Sequence, residues 1–125
     1  MSSPITITGN LTKDPESVTT KNGEMVVFSV AETSRRQVEG QWEDGTTSFY
    51  DVRVFNGLGQ NALASLSKGD QVVVIGDLEI VRTEKDGTRY TNASVRAREL
   101  GASLRFAKAS LSKVAKASAS SIVDE

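Results

Sequence analysis

"SFYDVRVFNGLGQNALASLSKGDQVVVIGDLEIV", residues 48–81, changes its period twice. Up to Phe55 it alternates, as a β-strand does: Tyr50, Val52 and Val54 point one way, and Phe49, Asp51, Arg53 and Phe55 the other. From Leu58 the period lengthens. Leu58, Ala62, Leu63 and Leu66 fall at helical spacing, and Lys68-Gly69 offers a stop, which predicts a helix of about three turns. From Gln71 to Val81 the alternation returns, with Val72, Val74, Gly76, Leu78 and Ile80 on one face. A glycine on that inward face predicts a sharp bend, of the kind a barrel strand needs to turn a corner.

Outward from this strand–helix–strand unit the chain reads as further strands. Ile5 to Leu11 alternate, with Ile5, Ile7, Gly9 and Leu11 together, until Pro15 stops the ladder. After a turn at Lys21-Asn22-Gly23 comes a second strand, Glu24–Thr33, with Val26, Phe28 and Val30 inward. Residues 34–46 are polar and punctuated by glycine, which predicts a long loop; Glu43-Asp44 within it reads as a turn before it reads as a weak cation site. Asp86-Gly87 marks a tight hairpin turn, followed by a last strand over 89–97 with Ala93, Val95 and Ala97 inward and Tyr90, Asn92, Ser94 and Arg96 outward. The order is β-β-β-α-β-β, all-β with one short helix between strands 3 and 4. That is the pattern of the OB-fold, a five-stranded Greek-key barrel that binds oligonucleotides and oligosaccharides. A plain five-stranded sheet with a helix on one face fits the same order. Residues 1–111 then form one domain, the stretch just after Leu100-Gly101 packs as a last strand or short helix, and the Ala/Ser/Lys-rich tail over 112–125 is expected to have little order.

Composition narrows the function. The chain has 125 residues, enough for one domain with a real core. It has no cysteine and no histidine, which removes disulfides, thiolate metal sites and the commonest catalytic base. Carboxylates are scattered singly, and Gly57-x-Gly59 lacks the third glycine of a dinucleotide fingerprint. No enzyme, metal or cofactor is expected. No signal peptide or membrane-length apolar run is visible, so a cytoplasmic protein with no membrane partner is expected. A net charge of −1 is not that of a generic polyanion binder. Arginines nevertheless cluster: Arg35 with Arg36, and Arg82, Arg89, Arg96 and Arg98 within 17 residues.

The outward face of residues 48–55 is the unusual feature. It mixes Phe49 and Phe55 with Asp51 and Arg53, while Trp42 lies in the polar segment before it and Tyr90 faces outward on the last strand. Two readings stay open. The rings either bury under a loop or an oligomer contact, as single exposed aromatics often do, or they serve as flat platforms on which unpaired bases stack while neighbouring arginines hold phosphates.

The sequence also resembles a family. "ITITGNLTKDPE" (5–16), "FSVAET" (28–33), "SFYDVRVFNGLGQNALASLSKGDQVVVIGDL" (48–78) and "EKDGTRYTNASVRA" (84–97) resemble, in order and spacing, successive segments of bacterial single-stranded DNA-binding proteins. The resemblance covers about residues 5–106. It implies an OB-fold that forms homotetramers and binds single-stranded DNA, with no preference for sequence, in replication, recombination and repair, associated with the nucleoid. Phe49 matches a stacking position usually occupied by tryptophan, and Phe55 one occupied by phenylalanine or tryptophan. With the clustered arginines and the other outward rings read above, the expected DNA-binding set is Arg35, Arg36, Trp42, Phe49, Arg53, Phe55, Arg82, Arg89, Tyr90 and Arg96, of which Phe49 and Phe55 are the positions that the resemblance itself implies.

The sequence departs from that pattern in three places. The stacking position at the end of strand 2 falls near Arg36, and that of the last hairpin near Thr83, so binding is expected to rest more heavily on strand 3 and on arginine, with Trp42 as a substitute ring. Family members commonly end in an acidic tip closing on phenylalanine that recruits other genome-maintenance proteins. "SIVDE" (121–125) carries Asp124 and Glu125 but no aromatic, and recruitment by that route is not expected.

Overall fold

In a computed structural model, residues 3–21 and 23–114 are described, with the side chains of all but 34–36, 43, 44 and 90. Six strands and one helix follow in order: β1 (Ser3–Leu11), β2 (Glu16–Thr20), β3 (Gly23–Val38), β4 (Gln41–Phe55), α1 (Asn56–Ser65), β5 (Gln71–Lys85) and β6 (Thr88–Ala102). The sheet runs β1-β5-β6-β4-β3-β2, and β1 also pairs with β3. That extra pairing, Asn10 with Ala31 and Leu11 with Val30, joins the two ends of β1-β5-β6-β4-β3 into a closed ring of five strands. The β4–β6 pair is parallel and all other pairs are antiparallel. This is the OB-fold barrel, and the plain open sheet is excluded.

The core is the inward parity of each strand. Ile7, Leu11, Val26, Phe28, Val30, Val52, Val54, Val72, Val74 and Val95 are buried, and Ala62 and Leu66 of the helical segment close one end. Most are β-branched, which suits a pleated surface packed on one side. Two glycines make the closure sterically feasible. A Cβ on Gly9 would run into the carbonyl oxygen of Ala31 where β1 meets β3, and one on Gly76 into the carbonyl oxygen of Arg96 at the register shift between Ile75 and Gly76. Gly76 is inward, as expected, but the extra residue at this register shift is Arg98 on β6, not a residue of β5.

Several sequence expectations are corrected. Residues 34–46 are no loop: β3 and β4 continue as a hairpin arm past the barrel and turn at Glu39-Gly40, with φ of 51° and 80°. Such a two-residue turn matches strand twist. Alternation could not reveal this arm, because beyond the barrel none of the described side chains is buried and polar residues suit both sides. The Asp86-Gly87 turn has the same left-handed geometry, with φ of 53° and 79°. A short strand, β2, was missed; it pairs only with β3 and contributes nothing to the core. The helix ends at Ser65, before Lys68-Gly69, and Leu66 donates to the Ala62 carbonyl at 2.9 Å. Leu63 and Ile80, expected inward, are 38% and 49% exposed, since Leu63 lies on the far side of α1 and Ile80 lies on β5 where it leaves the barrel. β6 runs on to Ala102, and residues 103–114 form neither strand nor helix. Residues 115–125 of the expected tail lie outside the described residues.

Candidate nucleic-acid interface

The outward side of β4 forms the centre of a curved face flanked by β3, β6 and β5. Phe49 sits opposite Ala31, Asp51 opposite Ser29, Arg53 opposite Val27 and Phe55 opposite Met25 on β3. On the other side Asp51 is in register with Ser94 and Arg53 with Arg96 of β6, and these in turn with Glu79 and Asp77 of β5. Ala31 and Ser29 are small, which leaves Phe49 and Asp51 exposed, whereas Arg53 and Phe55, beside Val27 and Met25, are partly buried. Between the two phenylalanines, six residues or about 20 Å of strand apart, lies a groove of about 460 Å³ lined by Asp51, Arg53, Asn92 and Ser94 among others.

Phe49 is 62% exposed and is not covered by any loop. Phe55 is different: it is half-buried, and the guanidinium carbon of Arg96 stands over its ring, 4.7 Å from the centroid. Arg53 is also engaged. Its Nη2 donates to Oε1 of Glu79 at 3.1 Å, while its Nε is buried with no protein acceptor. A phosphate would meet Arg53 beside Glu79 or in its place, and the exchange costs little, since a partly exposed ion pair contributes about 0–1 kcal/mol. Asp77 is likewise taken, by Arg98 at 3.5 Å. Ser94, expected outward and exposed, is 8% exposed. It is a short side chain on the floor between Asp51 and Glu79, its register neighbours.

The remaining expected residues are not all gathered on this face. Trp42 is 62% exposed and lies on β4 itself, out on the hairpin arm; the register shift between Thr33 and Arg35 puts an extra residue on β4, and because Trp42 pairs with Gln37 as Phe49 pairs with Ala31, the two rings leave the same side of the β3–β4 ribbon. Arg82 and Arg89 are exposed on the β5–β6 arm, opposite Thr91 and Glu84, and by the same alternation leave the side of the arm away from Arg96. The side chains of Arg35, Arg36 and Tyr90 lie outside the described residues; their backbones place the first two on the β3–β4 arm and the third on β6 opposite Thr83. Glu79, Asp77 and Ser94 were missed. Alternation alone puts Glu79 on the outward side of its strand, but its partner is 26 residues away and depends on strand order.

A larger cavity, about 530 Å³, lies between α1 and the segment after β6, lined by Leu58, Leu66, Leu100 and Phe106 among others. It is mainly apolar and away from the arginines of the face, so size does not make it the site. Glu24 is held below the usual carboxylate range by the hydroxyls of Ser17 and Thr19, which donate to it at 2.5 and 2.8 Å. That cluster ties β2 to β3 and has no part in the face.

Residues 3–103 match the Single-strand binding protein family. The chain belongs to that family. Every residue of the face lies inside the matched span, and the irregular segment from Leu104 onward lies outside it. The chain is 39% identical over 117 residues to the single-stranded DNA-binding protein of Mycobacterium leprae, covering 90% of this chain and 69% of that one. It is 36% identical over 116 residues to that of Mycolicibacterium smegmatis, covering 90% and 70%. Among solved structures it is similar to the small single-stranded DNA-binding protein of Streptomyces coelicolor, with 34% identity, a TM-score of 0.77 and coverage of 82% of this chain and 95% of that one. The second such protein of Mycobacterium smegmatis aligns at 29% identity and a TM-score of 0.69, covering 90% and 100%.

Proposed function

We propose that this protein binds single-stranded DNA with little regard to sequence, by stacking bases on Phe49 and at Phe55 while arginines of the barrel face and of the arms hold the phosphates. The observation that carries this reading is Phe49, a ring 62% exposed at the centre of the curved face rather than packed against anything. An apolar ring held in water is unfavourable unless a ligand covers it, and unpaired bases offer flat faces of any sequence. Duplex DNA keeps those faces stacked, so the surface selects single strands. Arg53, released from Glu79, and Arg96 beside it supply the positive charge of the face, and Arg82 and Arg89 extend it to the other side of the β5–β6 arm. The reading is that of a non-enzymatic protein that coats and protects DNA in replication, recombination and repair, in the cytoplasm with the nucleoid. No helix among the described residues is long and apolar enough to cross a membrane.

The test is a salt-titrated binding series on oligothymidine, the same sequence as duplex, and RNA. Oligothymidine should bind tightest, and log affinity should fall linearly with log salt with a slope near −0.7 per phosphate held. Equal or tighter binding of duplex would sink the reading, and a preference for RNA would redirect it.

We further propose a homotetramer. β1 pairs with β5 along Ser3–Asn10 but with β3 only at Asn10 and Leu11, so most of its other edge offers unpaired backbone groups. Ile75 and Val81 of β5 are 38% and 40% exposed. An open edge beside exposed aliphatics favours pairing with another copy. Light scattering at micromolar concentration should give close to four times the 13.4 kDa chain mass; a monomer throughout would overturn it.

A further inference from the structure

We propose that the stacking surface at the Phe55 end of the face is Arg96: the phenyl ring positions the guanidinium, and a nucleobase lies on the guanidinium rather than on the ring. This rests on the single-strand reading and assigns a role within it that differs from phosphate binding. The guanidinium carbon of Arg96 stands 4.7 Å from the Phe55 centroid, and Phe55 is half-buried while Arg96 is exposed. A base approaching the ring from that side meets Arg96 first.

The local charges favour this arrangement. Of the three carboxylates nearest in register, Asp77 and Glu79 are occupied by Arg98 and Arg53, and Asp51, across β4, is exposed and makes no ion pair with Arg96. Among the described residues no carboxylate pairs with Arg96, and its recorded contact is the ring. A guanidinium is planar, delocalised and weakly hydrated, so it stacks on aromatic faces on one side and on bases on the other. An ammonium has the same charge but no plane. Lysine at position 96 would therefore keep any attraction for phosphate and lose the platform, which separates the two roles.

The experiment compares unmodified protein, Arg96→Lys, Phe55→Leu and the double variant on oligothymidine and on an abasic sugar–phosphate oligomer of equal length, with thermal unfolding as the control for folding. On oligothymidine, Arg96→Lys should weaken binding about fivefold or more, the lower end for one lost base stack. On the abasic oligomer it should bind like the unmodified protein, with the same salt slope on both. Phe55→Leu, which keeps bulk without a ring to seat the guanidinium, should show the same base-dependent loss, and the double variant should lose no more than either single one. Oligothymidine affinity unchanged by Arg96→Lys, or an equal loss on both oligomers, overturns the assignment while leaving single-strand binding standing. Additive losses also overturn it, because they mean that ring and guanidinium act on separate bases. If the unmodified protein binds oligothymidine no better than the abasic oligomer, base stacking itself is wrong, and this assignment falls with it.

Discussion

Phe49→Ala should weaken binding of oligothymidine by about 1–3 kcal/mol, the loss of one base stack, a scale characteristic of single-strand-binding OB-folds as a class and not a value obtained from this chain. Its melting temperature should hardly move. The two halves of this expectation come from one fact: the ring is 62% exposed, so truncation opens no cavity and removes little buried area. Its register neighbour Ala31 is too small to shield it. Fluorescence anisotropy at fixed salt, paired with thermal unfolding, checks both halves. The salt slope should stay as it is, because no cation is removed. If Phe49→Ala dissociates the assembly or unfolds the barrel while the intact fraction binds normally, the ring is a packing residue and the DNA path lies elsewhere. The question raised by two phenylalanines beside an aspartate and an arginine thus has different answers for each: Phe49 stands open, Phe55 seats Arg96, and Arg53 is paired with Glu79.

Phe28→Ala should do the opposite. Phe28 is 6% exposed and faces Val52 across the β3–β4 ladder, inside the ring of valines. Emptying a buried phenylalanine site costs about 3–5 kcal/mol, through lost transfer energy and the cavity left behind. Against a total stability of about 5–15 kcal/mol, that is a large part of what holds the barrel. Urea denaturation should show the midpoint falling with little change in slope. The fraction still folded should bind oligothymidine with unchanged affinity, because residue 28 points away from the face. A variant as stable as the unmodified protein would mean that the strand parity assigned to β3 is wrong.

Those two phenylalanines mark where sequence reasoning succeeds. The inward sets on β1, β3, β4 and β5 were legible because a barrel strand has one dry side, and a period of two is a local property of the chain. The helix between the third and fourth expected strands and the turn at Asp86-Gly87 were legible for the same reason: each is set by residues within a few positions of one another. Where both sides of a strand are wet the signal vanishes. The β3–β4 arm therefore read as a loop, and β2 went unseen.

The sequence by itself determined the barrel's parity, its helix and the presence of two aromatic side chains on an outward face. Only the tertiary structure decided what those side chains touch. Arg53 meets Glu79 across 26 positions of sequence, and Phe55 meets Arg96, because β4 pairs in parallel with β6, which pairs in turn, antiparallel, with β5. Those contacts depend on strand order and register, which no local period encodes. They are what separate an open stacking ring from one that seats an arginine, and a free cation from one already neutralised.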